Sequence, residues 1–153
     1  RIGMKLGNLV GAGDRVIAGL LPGAAAGIVA NVVGPEVFRM GFGTAGLVAG
    51  IVLLALGVPL WRWAVAQILV YVPRGKLITT GPFALVFHPI YTFVALLVIP
   101  GAGLVLDTWV GFAIGAALYV SSRIFAPREE RELASAFPAE YPAYRASVVF
   151  PWL

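Results

Sequence analysis

The sequence predicts an all-α, polytopic membrane helix bundle of about four transmembrane helices, with a cytoplasmic loop and a short C-terminal cytoplasmic helix. Three observations lead there. Of 153 residues, 60% are hydrophobic and only 12% charged, with a mean hydropathy of +0.94, whereas a water-soluble domain carries about 25% charged residues. The few charges bracket long uncharged runs instead of being dispersed. The 19 glycines and 11 prolines lie inside runs of Val, Leu, Ile and Ala, where small residues let membrane helices approach closely. That placement excludes a disordered, low-complexity chain.

The first run, positions 16–35, has 20 uncharged residues between Arg15 and Glu36, and the second, positions 40–61, has 22 between Arg39 and Arg62. At about 1.5 Å per residue, each crosses a hydrocarbon core of about 30 Å unaided. The first is too long for the apolar region of a cleaved signal peptide, and further runs follow it. Positions 61–71, WRWAVAQILVY, either extend the second helix or lie on the membrane with Trp61, Trp63 and Tyr71 at the interface. The third and fourth runs, 89–106 and 108–122, are shorter at 18 and 15 residues. They meet at a polar corner, Asp107-Thr108, beside the interface-suited Trp109, and read as a helical hairpin. Gly101-Ala102-Gly103 has the form of a nucleotide-binding Gly-x-Gly, but no strand precedes it, so it is assigned to the hairpin turn. The pairs Gly23/Gly27, Gly46/Gly50 and Gly111/Gly115 either mark close helix contacts or are incidental in so glycine-rich a chain.

Basic residues orient the bundle. With both termini cytoplasmic, four crossings leave only Arg39 outside, so ten of the eleven Lys and Arg residues obey the positive-inside rule. The formal net charge of +4 is therefore a topology signal, and no nucleic-acid partner is expected. The partners are the lipid bilayer and a lipophilic small molecule or lipid; oligomeric state is not legible. The absence of Cys excludes disulfides and thiolate chemistry, and one histidine, His88, cannot make a His-rich metal site. No metal is expected.

Two segments fall outside the spans, both on the cytoplasmic side by this topology. The loop PRGKLITTGPFALVFHP (73–89) contains Gly81-Pro82 and His88-Pro89, the second of which opens the third helix. His88 is either a capping or interfacial residue or a ligand-binding one. The tail begins at Pro127, and PREERELASAF reads as a short separate helix, broken after Phe137 by Pro138 and Pro142. Its Glu129, Leu133 and Phe137 share a face: the helix either docks by the two apolar residues and holds Glu129 or Glu130 at the membrane surface, or is amphipathic with solvated charges. Arg123, at the cytoplasmic end of the fourth helix, either snorkels or pairs with a carboxylate of the tail, cofactor or substrate.

The stretch RGKLITTGPFALVFHPIY, followed by a hairpin of apolar helices, EERELASAF and EYPAYRASVVFPWL, resembles the isoprenylcysteine carboxyl methyltransferase and phospholipid methyltransferase family, membrane enzymes that use S-adenosylmethionine. Gly81, Pro82, His88, Pro89, Tyr91, Glu129, Glu130, Leu133, Phe137, Tyr141 and Tyr144 stand at matching positions. The resemblance implies one integral membrane domain, 1–153, with N-terminal helices in 1–73 and a methyltransferase-like cofactor-binding part in 74–153. It implies S-adenosylmethionine bound by Gly81, Pro82, Phe83, His88, Pro89, Tyr91, Glu129 and Glu130, with Glu129 and Arg123 as the catalytic candidates. Methyl transfer at a sulfonium needs positioning and exclusion of water but no nucleophilic side chain. A Glu carboxylate can take ribose hydroxyls or an ammonium, and Tyr91 and Phe83 can face the sulfonium.

The sequence departs from the family where Phe83 and Ala84 follow Gly-Pro in place of Tyr and Arg, and where Phe87 precedes His-Pro in place of Arg. An apolar Phe87 lining the pocket would favour a neutral, membrane-soluble acceptor. Two other classes compete: an NADPH-dependent membrane reductase resembling the sterol reductases, for which Arg74 and Lys76 are a thin basic cluster, and a non-catalytic membrane scaffold.

Overall fold

The computed structural model describes residues 6–153, with side chains from Ala18 onward. Arg1, Lys5 and the side chain of Arg15, counted above in the charge asymmetry, lie outside the described residues. The described chain is all-helical, without strands. Its long elements are α1 (Leu6–Val33), α3 (Gly43–Tyr71) and α7 (Val110–Ala136), with a short α2 (Pro35–Phe38) between the first two. A further helix is built from α5 (Pro89–Phe93), a π turn (Val94–Val98) and α6 (Ile99–Val105), and is preceded by the short α4 (Pro82–Leu85). The last helix is α8 (Tyr141–Ser147).

Two stretches, Gly43–Arg74 and Val110–Ala136, are long and apolar enough to cross a membrane; Ala18–Val33 and Pro89–Val105 are shorter apolar helices. Large apolar side chains cover the outside of the long helices, among them Ile51, Val52, Leu56 and Ile124. An outward-facing apolar surface of this kind suits hydrocarbon, not water. WRWAVAQILVY extends the second helix, with α3 continuing unbroken to Tyr71.

The helices pack in the order α1, α7, α6, α3, and glycines set their separation. A Cβ built on Gly50 would lie 2.7 Å from the carbonyl oxygen of Gly101, and one on Gly111 would meet the backbone of Gly103. Gly115 approaches the Ala95 carbonyl inside the π turn just as closely, while Gly57 meets Leu97 from the other side. Gly101 and Gly103 therefore lie within α6 and make helix contacts; they are not the hairpin turn the sequence suggested. The turn is at Leu106–Trp109, and Asp107 adopts φ 53° there. Its carboxylate accepts hydrogen bonds from Arg39 Nε at 3.0 Å and the Gly41 amide at 2.9 Å, while Thr108 donates to Asn31 Oδ1 at 2.6 Å. Arg39 and Asp107 thus close one end of the bundle.

The tail differs from its sequence reading. No separate helix starts at Pro127: α7 runs through it to Ala136. Proline removes one backbone hydrogen bond, but the strong helix formers around it and the docking of Leu133 and Phe137 against a buried aromatic cluster outweigh that loss. Pro142 likewise does not end structure; it lies in the first turn of α8, where a missing N–H costs nothing.

Gly50→Ala is expected to lower stability in detergent by about 1–3 kcal/mol through overpacking. Gly23→Ala, with nothing within 4 Å of the new methyl, is expected to be neutral or to gain up to about 1 kcal/mol from helix propensity. Thermal unfolding of the two variants side by side checks this, and an equal loss at both would contradict the packing described.

Candidate functional site

The end of the bundle opposite Arg39 and Asp107 gathers the loop, the end of α7 and α8. His88 caps α5: Pro89 supplies the first helical residue, and the His88 carbonyl accepts from the Thr92 amide at 3.0 Å. This turns the imidazole onto α7, where Nδ1 lies 3.1 Å from Glu129 Oε2 and Nε2 lies 3.8 Å from Glu130 Oε1. All three side chains are largely buried, with 9% of His88, 13% of Glu129 and 22% of Glu130 exposed. The exposed guanidinium of Arg145 on α8 reaches to 3.9 Å from the other Glu130 oxygen. Burial alone would lower the His88 pKa, but the hydrogen bond to Glu129 and the charges of Glu129 and Glu130 overcome it, so the imidazole titrates above its usual 6.5.

Around this cluster, three buried polar atoms lack a well-formed hydrogen bond: Arg123 Nη1, His88 Nε2 and Tyr141 Oη, the last two facing Glu130 beyond good hydrogen-bonding geometry. Arg123 lies two helical turns before Glu130, about 10 Å along the axis, and its charge acts on Glu130. Buried donors left unmatched cost free energy, so the region is suited to receiving an anionic or acceptor-rich group. Glu129 and Glu130 suit hydroxyl or ammonium donors.

Gly81 and Pro82 form the entry to α4. Gly81 has φ 61°, and a Cβ there would strike the Trp63 ring at 2.9 Å, so the turn requires glycine twice over. Pro82 and Pro89 are fully buried. Phe83 offers its carbonyl to the Tyr144 hydroxyl at 2.9 Å, tying the loop to α8, and burial pushes the Tyr144 phenol above its usual range.

The structure thus brings His88, Glu129 and Glu130 together and sets Gly81, Pro82, Phe83 and Pro89 in the same loop. Tyr91, half-buried in the first turn of α5, packs against Ala95 and Leu118. Phe87 does not line an open pocket, as its sequence position suggested. It is 8% exposed and packs edge-on against Tyr144 at 5.8 Å, in a core shared with Tyr141 and Val148. Sequence reasoning missed Gln67, which is buried on α3 and donates from Nε2 to Thr80 Oγ1 at 3.1 Å. A lone amide in an apolar span was the available signal. A separate cleft of about 630 Å³ lies between α1 and α7, lined by small residues such as Gly23, Ala113 and Ala117. Among the described residues, no group of three or more His, Cys, Asp or Glu side chains is arranged to hold a metal ion.

Comparison with protein-family models, curated proteins and solved structures finds no match to this chain.

Proposed function

We propose that this chain is an integral membrane methyltransferase that moves a methyl group from S-adenosylmethionine to a lipophilic acceptor. The observation that carries the reading is the buried His88–Glu129–Glu130 cluster, ringed by unmatched donors, at the end of an apolar bundle. The cofactor supplies an electrophilic methyl group on a sulfonium. Arg123 Nη1, Tyr141 Oη and His88 Nε2 match its amino-acid carboxylate, and Glu129 or Glu130 matches its ribose hydroxyls or ammonium. Phe87, Tyr144, Leu133 and Phe137 exclude water beneath the cluster, which strengthens each polar contact above it. The acceptor class is lipophilic; with Phe87 inside the aromatic core, its ring does not bear on the acceptor's charge.

The same reading has four crossings, made by α1, α3, α5 through α6, and α7, with both termini cytoplasmic and Arg39 outside. The loop and the end of α7 then share the cytoplasmic face. A cysteine introduced at Lys76 is expected to react with an impermeant maleimide only from the cytoplasmic side, and one at Asp107 only from the opposite side. Labelling of both from one side would overturn the topology.

Binding tests the function. Calorimetry on purified protein is expected to show binding of S-adenosylhomocysteine and none of NADPH. Glu129→Gln and Glu130→Gln keep the shape and remove the charge; at least one is expected to weaken binding roughly ten- to a hundredfold, since a hydrogen bond to a charged group contributes about 1.5–3 kcal/mol. Binding of NADPH instead would identify a reductase, and binding of neither a scaffold. Unchanged affinity in both variants and in the double variant would remove the carboxylates from the site.

A further inference from the structure

The segment Val149–Leu153, which follows α8, carries apolar surface that the described residues leave uncovered. Val149 is 58% exposed, Phe150 40% and Trp152 65%, and the last two rings pack edge-on with centroids 5.8 Å apart. Aromatic residues left outside a core in this way need a partner that is apolar on one side and wet on the other, or an apolar partner outright.

The fold sets the level at which this surface lies. Counted from Gly43, where α3 begins, about 20 residues at 1.5 Å each span a hydrocarbon core of about 30 Å and end near Arg62 and Trp63. Trp61, Arg62 and Trp63 are all exposed, as residues at a membrane–water boundary are. The Gly81 turn lies against the Trp63 ring, which fixes α4 at that depth. The tail joins the same element: the Val149 amide donates to the Ala84 carbonyl at 3.1 Å and the Phe150 amide to the Leu85 carbonyl at 2.8 Å. Phe150 is thereby held near the level of Trp63, with the Trp152 ring packed against it. Arg62, next to Trp63, and Arg145, four residues before Val149, are both exposed and put positive charge at the same end of the bundle, a complement to anionic headgroups.

We propose that Val149, Phe150 and Trp152 form an interfacial anchor, inserted at the boundary between headgroups and acyl chains, that holds α8 across the His88–Glu129–Glu130 cluster. The partner is the lipid surface. The proposal rests on the membrane reading of the bundle but not on methyl transfer. Because α8 carries Tyr141, Tyr144 and Arg145, the anchor sets the position of the side chains that close the site, and the two backbone hydrogen bonds pass that restraint to α4.

The chain has no cysteine, so single spin labels report cleanly. Trp152→Cys and, with Trp152 kept, Val149→Cys are labelled with a nitroxide in nanodiscs of phosphatidylcholine and phosphatidylglycerol. Two reference sites accompany them: Val52→Cys, on the outer face of α3 midway between Gly43 and Trp63, and Arg131→Cys, on the exposed side of α7. The ratio of oxygen accessibility to that of a water-soluble nickel chelate is expected to be several-fold higher at 149 and 152 than at 131, and lower than at 52. A ratio at 149 and 152 equal to that at 131, with 52 reading hydrocarbon, overturns the anchor and leaves the membrane reading standing. A label at 52 that reads water overturns the membrane reading and the anchor with it. Labels at 149 and 152 shielded from both relaxants show a protein partner in place of lipid and also overturn the proposal.

Discussion

A buried contact between the His88 imidazole and the carboxylates of Glu129 and Glu130 is the ionic tie between the two parts of the chain outside its apolar core. One partner caps a helix that enters the bundle; the others sit beyond Pro127, on the last turns of the helix that leaves it. Two carboxylates this close to apolar side chains would be costly without a cation, and a histidine this buried would be neutral without them. Each therefore justifies the other. The direction of α5, the continuation of α7 through a proline and the docking of α8 are all consistent with satisfying that one cluster.

The rest of the bundle is arranged by glycine. Gly50, Gly103, Gly111 and Gly115 bring backbones together where a side chain would collide, and Gly101 leaves little more room; between helices in lipid, close packing of this kind is what supplies the attraction. The Arg39–Asp107 clasp fastens one end, and the Asp107 carboxyl is held below its usual range chiefly by the Arg39 hydrogen bond. The His88 cluster fastens the other. Between the two ends the surface is apolar.

Charge spacing located the helices well. Uncharged runs of this length are what the cost of placing charge in hydrocarbon predicts, and the corner at Asp107-Thr108 followed from the same rule. Local rules failed where tertiary contacts outweigh them: Pro127 looked like a helix start, and Gly101-Ala102-Gly103 looked like a turn. In the site, residue types were legible at His88, Glu129 and Glu130, because polar groups stand out in an apolar chain. Their mutual contact was not legible, since it depends on how α5 and α7 are set side by side. Phe87 was misplaced for the same reason: an aromatic residue beside a motif reads as a ligand contact, whereas its ring fills a core that only the packed fold reveals. Gln67 required knowing which loop lies against α3.

Because the chain contains a single histidine, its imidazole resonances can be followed without assignment by pH titration in detergent micelles or nanodiscs. The fold raises the His88 pKa above the unfolded value of about 6.5. Stabilisation by the cluster is then fully present below that value and is lost as pH rises through the higher folded value. The expected result is an apparent pKa above 6.5 in the wild type that falls in Glu129→Gln and falls further when Glu130→Gln is added. A histidine that titrates at its ordinary value, indifferent to both substitutions, would contradict the central place given to this cluster.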